Sequence, residues 1–243
     1  MIIQILTLFP EMFQGFFQSS ILKRAQEQKL VEFRLINFRD FTTDKHRMVD
    51  DIPYGGGSGM VLKPEPIYRG LQFIKETEPN PKTVLLTPQG EVFKQQTAKE
   101  FSQLEHLVLI CGHYEGFDER IRSFVDQEIS IGDFVLTGGE PAAMIISDAL
   151  TRLIPGVLGS EDSAINDSFT GNLLDFPQYT RPAEFEGMKV PEVLLSGHHA
   201  RIEAWRREQA VLRTALRRPE LLRQMELSEA EKELLIKKLN FKI

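Results

Sequence analysis

Three glycine-containing segments follow short apolar runs in the first 140 residues of the chain. They are TPQG at 87–90, CGHYEG at 111–116 and LTGG at 136–139. Glycine lets backbone N–H and C=O groups approach a flat ligand closely, although a glycine after a strand is also common in a simple turn. Because ligands of α/β sheets lie beyond the carboxyl ends of the strands, the three segments favour a site built from backbone groups.

The usual phosphate-binding motifs are missing from the sequence. There is no GxGxxG after the first apolar run and no GxxxxGK[ST] anywhere, so neither a dinucleotide-binding fold nor a P-loop is supported. A further glycine cluster, DDIPYGGGSGM at 50–60, is consistent with a phosphate-binding nest or with a mobile lid. A nucleoside held by backbone groups is the ligand class that remains.

The elements around these segments alternate between strand-like and helix-like patterns, which predicts a mainly parallel sheet covered by helices. A Gly-, Pro-, Asp- and Ser-rich stretch from 156 to about 190 interrupts the alternation, and the pattern beyond it is helical. Ser228 and Glu231 form a capping box at the last helix. The predicted strands are 2–9, 31–38, 83–87, 107–111 and 129–136, and the predicted helices are 11–28, 65–76, 93–103, 118–125, 140–153, 198–217 and 228–238.

Composition narrows the class of protein and its compartment. The apolar amino terminus lacks the basic start and cleavage site of a signal peptide, and no apolar run is long enough to span a membrane. The single cysteine, Cys111, lies in the apolar run LVLIC and is predicted to be a core residue. We therefore expect a cytoplasmic protein with no membrane partner.

Charge is distributed unevenly along the chain. The net charge of -6 argues against bulk electrostatic binding of nucleic acid, but residues 196–219 are rich in arginine. If 201–217 is a helix, Ile202, Trp205, Leu212 and Leu216 share one face, with Trp205 predicted to belong to the core. The flanking arginines could follow RNA phosphates or form an ordinary solvated face. They include Arg206, Arg213 and Arg217.

Several long segments together resemble a known family. The chain is similar to the bacterial tRNA (guanine-37-N1)-methyltransferases of the SPOUT class from Met1 to about Leu222, with the motifs in the expected order. The segments that carry the resemblance are PYGGGSGM, CGHYEGFDER, SIGDFVLTGGE, RLIPGVLG, DSFTGNLLDFPQYTRP and VPEVLLSGHHARIEAWR.

The resemblance implies an α/β fold with a mainly parallel sheet, a deep C-terminal trefoil knot and a small all-α C-terminal domain. Knots are rare exceptions to the rules of chain connection, and no pattern of residues announces this one. The implied domains are a knotted domain at 1–159, a linker loop at 160–175 and a tRNA-binding domain at 176–243. The resemblance also implies a homodimer with composite active sites.

The resemblance further implies that S-adenosylmethionine binds in the knotted cleft. Glu115 would lie near its positive charge, although without the resemblance a surface carboxylate is the better explanation of this residue. Members of the family can depend on Mg²⁺, with Glu115 as the candidate, but the sequence contains no metal-ligand cluster. The implied contacts are Leu86, Pro88, Gly112, Tyr114, Glu115, Ile131, Gly132, Asp133, Phe134, Val135, Leu136 and Gly139.

Methylation of guanine N1 requires a base for the N1 proton and a cation for the charge that develops on O6. By resemblance these roles belong to Asp167 and Arg152. Without the resemblance, Asp167 is explained as a helix cap or an Asx-turn residue, and Arg152 as a charged residue at a helix end. Two alternatives to this function stay open: an RNA methyltransferase of the same class with another target nucleotide, and a non-catalytic RNA-binding protein. The candidate RNA contacts are His46, Arg201, Arg206 and Arg213.

Overall fold

The computed structural model describes residues 1–159, 167–223 and 225–239. The chain divides into two compact units, Met1–Glu161 and Asp162–Ile243. Residues 160–166 of the predicted 160–175 linker lie outside the described residues. The domain limits at 159 and 176 therefore stay predictions.

A five-stranded parallel sheet forms the centre of the first unit, in the order β2-β1-β6-β5-β7. The predicted mainly parallel sheet is confirmed, whereas the knot stays a prediction. Two further strands form a short antiparallel pair, β3 (Asp50–Asp51) and β4 (Val61–Leu62). The strands of the large sheet are β1 (Ile2–Thr7), β2 (Glu32–Asn37), β5 (Lys82–Val92), β6 (His106–Cys111) and β7 (Gln127–Ser130).

The helices of this unit follow the predicted positions with two corrections. The predicted helix 11–28 is interrupted, because Ser20 has a left-handed backbone with φ of +49° and separates two shorter helices. Residues Glu119–Phe124 form a 3-10 helix, as do Pro10–Phe13 and Phe38–Phe41. The α-helices are α1 (Gln14–Phe17), α2 (Ser20–Glu27), α3 (Pro64–Thr77), α4 (Gln95–Phe101) and α5 (Glu140–Thr151).

Both faces of the sheet are buried, as is usual for parallel strands. Along β6 the side chains alternate, so that Leu107, Leu109 and Cys111 enter one hydrophobic core and Val108 and Ile110 enter the other. Helices α2, α4 and α5 cover the first core, and α3 covers the second. Cys111 is 1% exposed, which confirms it as a core residue, and burial raises the pKa of its thiol.

The second unit is built around the helix His199–Arg217 (α7). Its buried residues are Ala210, Val211, Thr214 and Ala215. The segment around Leu174 packs on this helix, because the Leu174 N–H donates to Thr214 Oγ1 at 2.9 Å. Leu173, within the predicted linker, belongs to the same core as Leu222 and Leu235. The helices of this unit are α6 (Glu192–Leu195), α7 (His199–Arg217), α8 (Pro219–Leu222) and α9 (Glu229–Leu239), with a 3-10 turn at Thr170–Asn172.

Three expectations for the second unit need correction or refinement. It contains an antiparallel hairpin, β8 (Glu184–Phe185) and β9 (Met188–Lys189), so the all-α description does not hold. Leu216 is 67% exposed and does not share the buried face of α7. Trp205 is half-buried, with its ring 6.4 Å from Tyr179, and is not among the core residues.

The capping box at α9 is confirmed. The Ser228 N–H donates to Glu231 Oε2 at 2.8 Å, and the Glu231 N–H donates to Ser228 Oγ at 3.3 Å. These reciprocal bonds satisfy two backbone donors that would otherwise lack partners near the helix start.

A buried histidine lies at the amino end of the large sheet. His106 opens β6, and its Nε2 lies 2.8 Å from Gln4 Oε1. Burial lowers the pKa of His106, because the imidazolium form loses hydration; nearby Arg34 lowers it further, and Glu78 acts in the opposite direction. The folded state therefore favours the neutral imidazole.

We expect stability to fall as the pH decreases from about 6.5, the pKa of histidine in an unfolded chain. The unfolded state then binds a proton that the folded state binds only at lower pH. The free energy of unfolding, measured with urea between pH 5 and 8, should decrease toward low pH in the wild type. It should decrease with the same slope in His46→Gln, a variant of an exposed histidine. The slope should be reduced in His106→Gln; an equal slope in all three proteins would contradict the assignment.

Candidate functional site

A cavity of about 520 Å³ opens at the carboxyl ends of β5, β6 and β7. This is the edge at which ligands of open parallel sheets usually bind. Three chain segments form most of its wall: one is a bulge within β5, and the other two follow β6 and β7. The lining residues are 86–89, 112–117, Glu119, Arg122, 129–132, 134–139 and Ala142.

The first segment leaves the sheet as a bulge within β5. Leu86 and Glu91 both pair with Ile129 of β7, so residues 87–90 project beyond the strand ladder. Gly90 is required here, because a Cβ atom at this position would overlap the backbone of Glu128 and Ile129. The bulge brings Pro88 and Gln89 to the cavity wall.

The second segment turns sharply after β6. Tyr114 and Gly116 have left-handed backbones with φ of +58° and +113°, and this turn places Glu115 against the glycine-rich segment. The Glu115 N–H donates to Met60 O at 3.0 Å, and a Cβ atom at Gly59 would overlap the Glu115 side chain. The glycine cluster at 50–60 therefore packs directly on a wall of the cavity.

The third segment corrects the predicted strand 129–136. Strand β7 ends at Ser130, and Gly132 has φ of +141°, a backbone conformation that ends the extended run. Residues 131, 132 and 134–139 then line the cavity, and Val135 is 89% exposed. The segment returns to the sheet at Gly139, whose N–H donates to Gly112 O at 2.8 Å.

The structure gathers eleven of the twelve predicted cofactor contacts around this one cavity. Asp133 is the exception, since it does not line the cavity although its neighbours do. The predicted residues that line it are Leu86, Pro88, Gly112, Tyr114, Glu115, Ile131, Gly132, Phe134, Val135, Leu136 and Gly139. Their contacts with a cofactor stay predictions.

Sequence reasoning missed a charged cluster at the rim. Arg122 Nε donates to Glu119 Oε2 at 2.9 Å, Nη2 donates to Gln89 Oε1 at 2.7 Å, and Nη1 pairs with Glu128. One guanidinium thus joins the 87–90 bulge, the 3-10 helix and β7, using donors in the fixed fork that arginine provides. The residues are far apart in sequence, so no local motif announces the cluster. His113 of CGHYEG also lines the cavity and was missed.

The predicted catalytic residues lie in different units. Arg152 directly follows α5, where its backbone N–H donates to Asp148 O at 3.3 Å. This is the helix-end position that the sequence also allowed, and Arg152 is not among the residues lining the cavity. Asp167 is the first residue described after the gap and belongs to the second unit. Their catalytic roles stay predictions.

Two of the predicted RNA-contacting arginines have partners within the second unit. Arg206 Nη1 donates to Glu203 Oε1 at 2.7 Å, and its guanidinium lies 4.8 Å from the ring centre of Phe176. Arg213 Nη1 donates to the backbone oxygen of Asp175 at 3.2 Å. Both side chains therefore help to order the segment that precedes α6.

The other two predicted RNA contacts are exposed. His46 lies in a turn, where its N–H donates to Asp44 Oδ1 at 2.9 Å, and Arg201 lies in the first turn of α7. Across the described ranges, no group of three His, Cys, Asp or Glu residues could hold a metal ion, and no helix is long and apolar enough to cross a membrane. The expectation of Mg²⁺ stays a prediction.

Gly139 offers a direct test of the cavity architecture. A Cβ atom at this position would lie 2.8 Å from Cys111 Cα and 2.9 Å from Gly112 N, so Gly139→Ala must displace backbone. We expect the free energy of unfolding to fall by about 1–3 kcal/mol, as for other overpacked sites. The matched control is Gly15→Ala, since no atom lies within 4 Å of a Cβ there. Urea unfolding that gave the two variants equal stability would contradict the close approach.

Comparison with known proteins identifies the family. Residues 1–224 match the family described as tRNA (Guanine-1)-methyltransferase TrmD. A Halalkalibacterium halodurans protein named tRNA (guanine-N(1)-)-methyltransferase is 59% identical over 235 residues, which cover 96% of this chain and 96% of the relative. Proteins of the same name from Bacillus cereus and Bacillus anthracis are each 59% identical over 232 residues, or 95% of both chains. The chain therefore belongs to the tRNA (guanine-1)-methyltransferase family.

Proposed function

We propose that this protein, a methyltransferase by family membership, transfers a methyl group from S-adenosylmethionine to N1 of the guanine at position 37 of tRNA, 3′ to the anticodon. One observation carries the proposal. A chain of this family folds eleven of the twelve residues expected to contact the cofactor around a single cavity. The names of its relatives support guanine N1 as the methylated atom. We place the reaction in the cytoplasm.

The residues of the cavity fit S-adenosylmethionine. Its volume of about 520 Å³ lies within the range of about 300–1,000 Å³ that small-molecule sites occupy. Leu86, Ile131 and Leu136 provide apolar surface for the adenine, and the backbone groups of the glycine-containing turns provide donors and acceptors for its edge. The carboxylate of Glu115 would attract the positive charge of the ligand, and it would also be the ligand for Mg²⁺.

The chemistry requires a base and a donor in addition to the cofactor. When bound, S-adenosylmethionine supplies a methyl carbon attached to a positively charged sulfur. In our proposal Asp167 accepts the proton of guanine N1 as the N1 lone pair becomes available for the methyl group. Arg152 donates hydrogen bonds to guanine O6, where negative charge develops, through its planar fork of N–H groups.

We further propose that two copies of the chain form a homodimer in which Arg152 of one subunit and Asp167 of the other complete each active site. The assignment of these residues to separate compact units is compatible with such an arrangement. A symmetric dimer then contains two equivalent sites. Each subunit alone is incomplete.

The tRNA would contact exposed cations of both units, among which we include His46 and Arg201. Arg206 and Arg213 would keep their intramolecular bonds and present their remaining donors to phosphates. Binding of this kind weakens as the salt concentration rises, because bound counterions are released from the RNA. Closure of protein over the target base would exclude water from the cavity.

The first test measures methyl transfer from labelled S-adenosylmethionine to unmodified tRNA transcripts that carry G or A at position 37. We expect transfer to the G37 transcript alone. Asp167→Asn should lower kcat by about 10²- to 10⁴-fold, the usual contribution of a general base. The matched control Glu105→Gln removes an exposed carboxylate at the other end of the sheet and should retain activity.

Each alternative outcome has a definite meaning. Transfer to both transcripts would identify another nucleotide as the target and favour a related RNA methyltransferase. Binding of tRNA without transfer to either transcript would favour the non-catalytic RNA-binding protein. Full activity of Asp167→Asn would remove this residue from the mechanism.

Subunit complementation tests the composite site. Arg152→Ala and Asp167→Asn homodimers should each be nearly inactive. A heterodimer of the two, isolated by different affinity tags, should recover about half of the wild-type activity, because one of its two sites is intact. If both residues act within one subunit, the heterodimer stays inactive; if no dimer is isolated, the oligomeric proposal is wrong.

A further inference from the structure

A buried carboxylate lies beneath the cavity, outside its lining. Glu140 is the first residue of α5 and is only 2% exposed. The hydroxyl of Thr7, the last residue of β1, donates to Glu140 Oε1 at 2.7 Å. A buried charge is costly unless it is hydrogen-bonded, so this contact demands a structural or functional reason.

Glu140 supports one wall of the cavity. A Cβ atom at Gly138 would overlap Glu140 Oε2, so the carboxylate occupies the space where a side chain at 138 would lie. The next residue, Gly139, donates its N–H to Gly112 O at 2.8 Å and thereby joins the third segment to the second. Glu140 also lies in the first turn of α5, where the helix dipole favours negative charge.

The same threonine hydroxyl supports a second wall. Thr7 Oγ1 accepts the N–H of Phe9 at 3.0 Å, which fixes the start of the turn after β1. The ring of Phe9 contacts the ring of His113, with centres 4.9 Å apart and an edge-on arrangement. His113 lines the cavity, so one hydroxyl connects the end of β1 to two of its walls.

We propose that Thr7 and Glu140 form a positioning pair that sets the separation of the Gly112–His113 wall and the Gly138–Gly139 wall. Neither residue lines the cavity, so the pair acts through the backbone and not by contact with the ligand. Loss of the hydroxyl leaves a buried carboxylate without this donor, and the turn at 138–139 must shift to restore one. The effect on binding rests on the proposed function, which makes S-adenosylmethionine the ligand of the cavity.

The chain offers a control at a second buried threonine. Thr83 is also fully buried in the sheet, and its hydroxyl donates to a carboxylate, Asp126 Oδ2, at 2.6 Å. It lies at the amino end of β5, away from the cavity. Thr7→Val and Thr83→Val therefore each remove a hydroxyl-to-carboxylate hydrogen bond, at opposite ends of one sheet. The Asp126 side chain differs from Glu140 in being exposed, and it keeps the Thr83 N–H as a donor at 2.7 Å.

The first measurement needs no ligand. We expect hydrogen exchange of the Gly139 amide to be about tenfold faster in Thr7→Val than in Thr83→Val, the effect of one lost hydrogen bond to a charged group. Thr7→Ser, which keeps the hydroxyl, should exchange like the wild type. Equal exchange in the two valine variants, or rapid exchange in Thr7→Ser, would overturn the positioning role.

The second measurement is the dissociation constant of S-adenosylhomocysteine, determined by calorimetry on the full chain. It should increase about tenfold in Thr7→Val and stay unchanged in Thr83→Val and Thr7→Ser. If the wild type binds no S-adenosyl compound while Thr7→Val and Thr83→Val show the expected difference in exchange, the proposed function is refuted and the positioning pair stands. Unchanged affinity in a Thr7→Val protein would refute the pair's effect on the cavity.

Glu140→Gln covers the case in which Thr7→Val does not fold. The amide oxygen still accepts from Thr7, but the negative charge at the start of α5 is lost. We expect exchange of the Gly139 amide to be faster than in the wild type and the affinity for S-adenosylhomocysteine to be lower, because a hydrogen bond to a neutral acceptor is weaker than one to a charged acceptor. Exchange and affinity that both match the wild type would overturn the proposal.

Discussion

The backbone of Gly139 lies so close to Cys111 and Gly112 that no side chain can be placed between them. This approach joins the carboxyl end of β6 to the start of α5, and it depends on glycine at 139 because any Cβ would meet main-chain atoms. The hydrogen bond from Gly139 to Gly112 holds the two segments in register. The wall that 112–117 and 134–139 form together, and the start of α5 beside it, depend on this contact.

Charge is matched locally in much of the second unit. Arg206, Arg207 and Arg218 each pair with a glutamate of the same unit. Exposed pairs of this kind contribute little to stability, but they reduce the long-range field of the arginine-rich helix. The arginine-rich sequence therefore overstates the positive potential that an approaching polyanion meets. Ordering the segment around Phe176 is a second role for Arg206.

The sequence was most informative where local chemistry decides the structure. The parallel sheet follows from apolar runs alternating with amphipathic helices, and the bulge within β5 and the turn after β6 follow from glycine. The end of β7 was mispredicted because the residues of 131–136 look strand-like, while Gly132 adopts a backbone conformation that stops the strand. Leu216 was predicted to share the apolar face of α7 but is exposed, because helical spacing alone does not show which apolar residues pack against a partner.

Other features depend on contacts between distant parts of the chain. The Arg122 cluster joins positions 89, 119 and 128, and no spacing rule connects these residues. The likeness to a known family, and not periodicity, suggested Asp167 and Arg152 as a pair. Pairwise proximity of this kind is decided by tertiary structure, which explains why the cavity was predicted from its glycines but not its charged rim.

The burial of Cys111 has a practical consequence for spectroscopy. It is the single cysteine of the sequence, it is almost inaccessible, and its raised pKa keeps it in the unreactive thiol form at neutral pH. A cysteine introduced at an exposed position would therefore react selectively with a maleimide dye or a spin label. The native chain is thus already suited to site-directed labelling, and distances between its two units can be measured without first removing a background thiol.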